Sequence, residues 1–112
     1  MQVTPLSEFD FHPRLANNHG VSLVLFSAPG CGSCRVWLRL LEAFSSPLLQ
    51  HCHVVDVQTA TAVAREYDVF HLPSLFLFVN GKFHAPLHAE ATPALLADAI
   101  REALAQPAHE EP

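Results

Sequence analysis

Hydrophobic residues in this chain fall into short solid runs divided by polar punctuation, and the period of each run separates strands from helices. Val21–Phe26 is almost continuously apolar, which predicts a central strand covered on both faces. Leu75–Val79 reads the same way. The Asn80-Gly81 pair directly after it predicts a two-residue hairpin into an antiparallel partner over Lys82–Leu87. His53–Val57 is a further strand, and Val3–Leu6 a short one that Pro5 confines to a sheet edge or a strand end.

Helical spacing takes over between these runs. Arg35–Phe44 places Arg35, Arg39 and Glu42 on one face among apolar neighbours, the pattern of a helix lying on a sheet. Thr59–Asp68, rich in alanine, predicts a short helix. Thr92 is a cap and Pro93 a first position for a last helix whose apolar residues 95, 96, 99, 100 and 103 oppose Asp98, Arg101 and Glu102. Near the start, Ser7–Asn18 has a candidate N-cap in Ser7, but Pro13 predicts a broken or short helix. Asn17–Gly20 then supplies turn chemistry.

The order β–α–β–α–β–α–β–β–α predicts an α/β architecture: a central mixed sheet, helices on both faces, and a C-terminal hairpin plus helix. A length of 112 residues, half of them hydrophobic, suits one core, so residues 1–105 are expected to form one domain and 106–112 a polar, frayed tail. A net charge of −5 leaves no basic stripe for nucleic acid or an anionic membrane surface. No apolar run approaches the roughly 20 residues that span a bilayer. Met1–Pro5 has neither the charged start nor the apolar core of a signal peptide, so a cytoplasmic location is expected.

The chemistry concentrates after the Val21–Phe26 run, where a Pro29-Gly30 turn leads into Cys31-Gly32-Ser33-Cys34 at the start of a helical pattern. Cysteines 31, 34 and 52 make an odd set, which argues for one functional pair and a spare rather than a disulfide framework. Two thiols at this spacing are a redox pair or half of a metal site. His51 and His53, on either side of Cys52, would complete a zinc-competent donor set.

Three landmarks in order decide between these readings: Ala28-Pro29-Gly30-Cys31-Gly32-Ser33-Cys34, then Leu72-Pro73-Ser74 before an apolar strand, then Asn80-Gly81-Lys82 at the hairpin. With them the chain resembles the thioredoxin family over roughly residues 2 to 105. The resemblance implies the thioredoxin fold and thiol–disulfide exchange. Its substrates would be disulfide-containing proteins or small thiols, and a reductase or low-molecular-weight thiol would donate electrons. No cofactor is implied beyond a redox-active Cys31–Cys34 disulfide.

The resemblance also sets His51–His53 at the strand end opposite the cysteine pair, which counts against zinc. It makes Pro73 a cis proline packed against the pair, with the backbone of Leu72 open to a substrate peptide. Gly30, Gly32 and Ser33 join Leu72 and Pro73 as the expected substrate-binding positions. Chemically, an ordinary thiol with a pKa of about 8.5 is mostly protonated at neutral pH. The unpaired amides and dipole of a helix start favour its thiolate. Cys31 is so placed and is the expected nucleophile; Cys34, on the same face and more shielded, is the expected resolving thiol.

Departures from the family pattern accompany the match. Gly30 stands where a tryptophan is usual, which removes an apolar docking surface. Leu25 replaces a buried aspartate that assists the resolving thiol, and Val54 replaces its lysine partner, so no charge is stranded but an internal base is lost. Ser33 replaces a proline and Ala89 a glycine. These losses sustain an alternative, a thioredoxin-fold interaction module with slow or regulatory cysteines. Of the remaining residues, Cys52 is expected at a strand end and open to intermolecular disulfides, Trp37 in the core, His71 in solvent near the pair, and Arg35 beside the pair as either a solvated charge or one that favours the thiolate.

Overall fold

In the computed structural model, which describes residues 1–112, β2 (Val21–Ser27) is the strand about which the others are arranged. Around it stand β1 (Val3–Pro5), α1 (Phe11–Ala16), α2 (Gly32–Ala43), β3 (His51–Asp56), α3 (Thr61–Glu66), β4 (Ser74–Val79), β5 (Lys82–Leu87) and α4 (Pro93–Leu104). The five strands form one sheet in the order β1-β3-β2-β4-β5. β1, β3 and β2 run parallel, whereas β4 is antiparallel to β2 and β5 to β4.

β2 is apolar on both sides because both sides are covered. Leu23 and Leu25 face Trp37 and Leu41 of α2 and Leu96 and Ile100 of α4. Val24 and Phe26 face the opposite half-core, where Phe11, Tyr67, Phe76, Phe78 and Phe83 pack with α1 and α3. The rings there meet edge-on or tilted, as for Phe11 and Phe78 at 6.0 Å between centroids, the arrangement that the aromatic quadrupole favours. Alternation along one strand thus divides the core into two layers.

The hairpin after β4 turns on Asn80 and Gly81, both with positive φ, as a two-residue primed turn requires. Only glycine fits at 81 for a second reason: a Cβ there would lie 2.7 Å from the carbonyl oxygen of Leu15. The hairpin is tied to the loop before β2 as well. The Asn80 amide donates to the Gly20 carbonyl and the Gly20 amide to Asn80 Oδ1, each at 2.8 Å.

Several local expectations are corrected. Ser7 is not the cap of the first helix. Its hydroxyl accepts from the amides of Phe9 and Asp10 in a turn of its own, Asp10 takes the N-cap position, and α1 begins only at Phe11. Pro13 then falls in the first turn, where its missing N–H leaves no bond unmade. β1 ends at Pro5, although the Leu6 amide still donates to the Val54 carbonyl at 2.9 Å. β3 starts two residues before the apolar run, at His51, because it pairs with β2 from Ser22 onward.

The polar tail, exposed along its length, touches the domain at two points. The His109 amide donates to the carbonyl of His84 in the edge strand β5 at 2.7 Å, and the Tyr67 hydroxyl donates to the Glu111 carboxylate at 3.0 Å. No helix is long and apolar enough to cross a membrane.

Candidate functional site

Where β2 ends, the chain must reverse and enter α2, and the sequence supplies the means. The Cys31 amide donates to the Ala28 carbonyl at 3.3 Å, with Pro29 and Gly30 between them. Proline sits where φ must be near −65° and Gly30, at φ +81°, where it must be positive, the arrangement of a type II turn. Glycine at 30 is therefore a backbone requirement of this turn. A Cβ there would meet nothing within 4 Å, so the mouth beside Cys31 is open.

The turn delivers Cys31 to the N-cap of α2 in extended conformation, and its Sγ accepts a hydrogen bond from the Cys34 amide at 3.2 Å. A sulfur thus occupies the place a serine or aspartate oxygen usually holds. The Ser33 hydroxyl lies 3.7 Å from the same sulfur. Cys34, one turn in, shares the buried stripe of α2 with Trp37 and Leu41 and is 1% exposed, whereas Cys31 is half-buried. The two sulfurs are joined in a disulfide with the Cα atoms 5.2 Å apart. One sulfur is within reach of another molecule and the other is shielded behind it.

The second wall comes from the loop before β4. Ser74, the first residue of β4, pairs with Phe26 of β2, so the loop carrying Leu72 and Pro73 leaves the sheet at the same end as the cysteine turn. The Leu72–Pro73 peptide bond is cis. Leu72 packs against the aromatic half-core, and the Ser74 hydroxyl donates to the His71 carbonyl at 2.6 Å, fixing the loop on both sides of the proline. Gly30, Cys31, Gly32, Ser33, Cys34, Leu72 and Pro73 therefore converge on one end of the sheet. A groove of 520 Å³ adjoins the other side of the turn, lined by Ala28, Pro29, Val54 and Asp56 among others, but by neither cysteine.

Beneath the pair the sheet is apolar. Leu25 is fully buried and is the register partner of Val54 on β3 and of Leu75 on β4. Neither strand next to β2 offers an ionisable side chain at that position.

The other candidates separate from this end. Because β2 and β3 are parallel, His51 and His53 at the start of β3 lie at the end of the sheet away from Cys31. His53 is buried: Nε2 accepts from Asn18 Nδ2 at 2.9 Å, and Nδ1 donates to the Thr4 carbonyl at 3.3 Å. Burial holds its pKa below that of an ordinary imidazole. Cys52 is also corrected. It is 2% exposed within the α2 half-core, and burial pushes its thiol up to about 12, so it is not available for intermolecular disulfides. Trp37 is in the core, and His71 and Arg35 are exposed. One residue that the sequence reading passed over, Phe70, stands 81% exposed on the Leu72–Pro73 loop; its signal was an aromatic side chain outside any periodic run.

Comparison with known proteins agrees with this geometry. Residues 2–102 match the family model described as Thioredoxin. The chain is 30% identical over 84 residues to a thioredoxin of Griffithsia pacifica, covering 73% of this chain and 77% of that one. It is 36% identical over 81 residues to a thioredoxin-like protein of Synechocystis sp., covering 70% and 74%. Among solved structures, human ERp44 in its zinc-bound form superposes with a TM-score of 0.73 at 25% identity, over 90% of this chain and 31% of that one.

Proposed function

The chain belongs to the thioredoxin family, and we propose that it works as a thiol–disulfide oxidoreductase through Cys31 as nucleophile and Cys34 as resolving thiol. The observation that carries the assignment of roles is the asymmetry of the pair: Cys31 Sγ caps a helix and is partly exposed, while Cys34 is buried behind it.

In the dithiol state, the Cys31 thiolate attacks one sulfur of a substrate disulfide. A mixed disulfide forms, and the other substrate sulfur leaves as a thiolate that takes a proton. Cys34 then loses its proton and attacks Cys31 Sγ, breaking the mixed disulfide and releasing the second substrate thiol. Two electrons pass from the pair to the substrate, leaving the Cys31–Cys34 disulfide. An external thiol donor, either a reductase or a low-molecular-weight thiol, returns the pair to the dithiol and is itself oxidised. With Leu25 and Val54 below the pair, the proton of Cys34 goes to water or to the departing thiolate rather than to an internal carboxylate. A reducing, cytosolic compartment suits this direction of transfer.

The backbone beside the cis Pro73 is read as the docking edge for substrate, with Gly30, Gly32 and Ser33 forming the opposite lip. The apolar Leu25–Val54 pair supports a second reading, a thioredoxin-fold interaction module in which exchange is slow. Reduction of a protein disulfide by dithiothreitol separates the two. The wild type should accelerate it and Cys31→Ser should not, while Cys34→Ser should accumulate a mixed disulfide. Wild-type turnover at the uncatalysed rate would favour the interaction module.

A further inference from the structure

Phe70 exposes 81% of its surface, yet the loop that carries it is fixed on both sides. Asp68, at φ +51°, ends the α3 segment in left-handed conformation, and the Val69 amide donates to the Ala64 carbonyl at 2.9 Å. Val69 and Leu72 both pack against the aromatic half-core. The Ser74 hydroxyl holds the His71 carbonyl. An aromatic ring held out from an ordered loop is an anchor whose backbone ordering cost was met on folding, the property that makes such rings effective at recognition surfaces.

Its place is as informative as its exposure. Phe9 is 88% exposed and follows β1 at the same end of the sheet, but its Ser7–Asp10 segment borders the groove on the Ala28–Pro29 side of the turn, which neither cysteine lines. Phe70 precedes β4, which borders β2 at the end where the cysteine turn leaves. It is three residues before Pro73, hence at most ~10 Å from it along the chain. On the opposite lip Gly30 and Gly32 have no side chain and Ser33 offers only a hydroxyl, so no apolar group faces the substrate from that side. An extended polypeptide lying along Leu72–Pro73 would advance ~3.3 Å per residue and reach the phenyl ring two or three positions from its reacting cysteine.

We propose that Phe70 determines specificity at this site, docking an apolar side chain two or three residues from the reacting cysteine of a protein substrate, so that protein disulfides are preferred over low-molecular-weight ones. The proposal rests on the redox reading above. A low-molecular-weight disulfide such as oxidised glutathione carries no apolar side chain beside its cysteine and gains nothing from the ring.

The test uses a peptide disulfide with leucine three residues from one cysteine, its alanine counterpart, and oxidised glutathione. Replacing Phe70 with alanine should lower the ratio of kcat/KM for the leucine peptide to that for glutathione roughly tenfold, a fraction of what full burial of a phenyl ring is worth. Phe70→Leu should restore most of it. The loss should shrink towards onefold with the alanine peptide, because the two side chains act on each other. An unchanged ratio, or an equal loss with both peptides, overturns the proposal. The leucine peptide with its cysteines alkylated, followed by fluorescence anisotropy, reads docking without chemistry. Roughly tenfold weaker binding to Phe70→Ala supports the proposal and equal binding overturns it. Wild-type protein that turns over neither disulfide fails the redox reading alone.

Discussion

The amide of Cys34 donates to the sulfur of Cys31 at 3.2 Å, so the two cysteines are linked through the backbone as well as through their sulfurs. On reduction this amide, with the others of the first turn of α2, faces a free thiol. It stabilises the anion more than the neutral form.

The Cys31 thiol should accordingly titrate below an ordinary cysteine. Absorbance of the thiolate near 240 nm, followed against pH in reduced protein and in Cys31→Ser, measures it. Ser33→Ala, which removes the hydroxyl 3.7 Å from the sulfur, should move the titration upward. Titration of Cys31 at the free-cysteine position would remove the helix-terminus argument.

Leu25 and Val54 should be replaceable only as a pair. Leu25→Asp places a carboxylate at a fully buried position with Val54 on one side and Leu75 on the other, costing at least about 3 kcal/mol in urea denaturation. Adding Val54→Lys should recover part of that loss. A double variant no more stable than the single one would show that the two positions do not interact.

The two glycines with positive φ in the turns at 30 and 81 should respond differently to alanine. Gly81→Ala meets both the left-handed backbone and the Leu15 carbonyl and should destabilise by about 2 kcal/mol. Gly30→Ala meets only the backbone term, about 1 kcal/mol, because its Cβ points into open space. Thermal denaturation of the two variants should rank them in that order.

Stability should fall on the acid side through His53. Burial depresses its pKa below the ordinary 6.5, and its neutral form is required for Nε2 to accept from Asn18; the bond from Nδ1 to the Thr4 carbonyl survives protonation and only partly opposes the burial. The unfolded chain therefore binds the proton more readily than the fold. The contribution is present above about pH 6.5 and is lost as pH falls through the lower folded value. His53→Val should have a flatter stability curve between pH 7 and 5 than the wild type; parallel curves would assign the acid limb to other groups.

Much of this was legible in the chain because neighbouring residues encode it. The Val21–Phe26 run, the Asn80-Gly81 turn and the Thr92-Pro93 start all became elements where local pattern put them. The cysteine pair fell at a helix start for the same reason. What the sequence did not reveal depends on partners distant along the chain. Ser7 lost its capping role to a turn closed by Asp10, and β3 began early because β2 was there to pair with it. Cys52 looked like a strand-end thiol, and only the packing of α2 over it shows it to be buried. Residues 106–112 read as polar and unattached, yet His109 and Glu111 find β5 and Tyr67. Phe70 carried no periodicity, and its exposure follows from the loop's anchorage.

The unequal burial of the three cysteines also makes the protein its own gauge of state. With Cys31 and Cys34 joined and Cys52 enclosed, the native oxidised form offers an alkylating reagent nothing. The native reduced form offers one sulfur, at Cys31, and the reduced, unfolded chain offers all three. Counting mass additions therefore separates native oxidised, native reduced and fully reduced, unfolded protein in a single spectrum, and mapping a single addition to Cys31 or to Cys52 tells the native reduced form from the unfolded oxidised one.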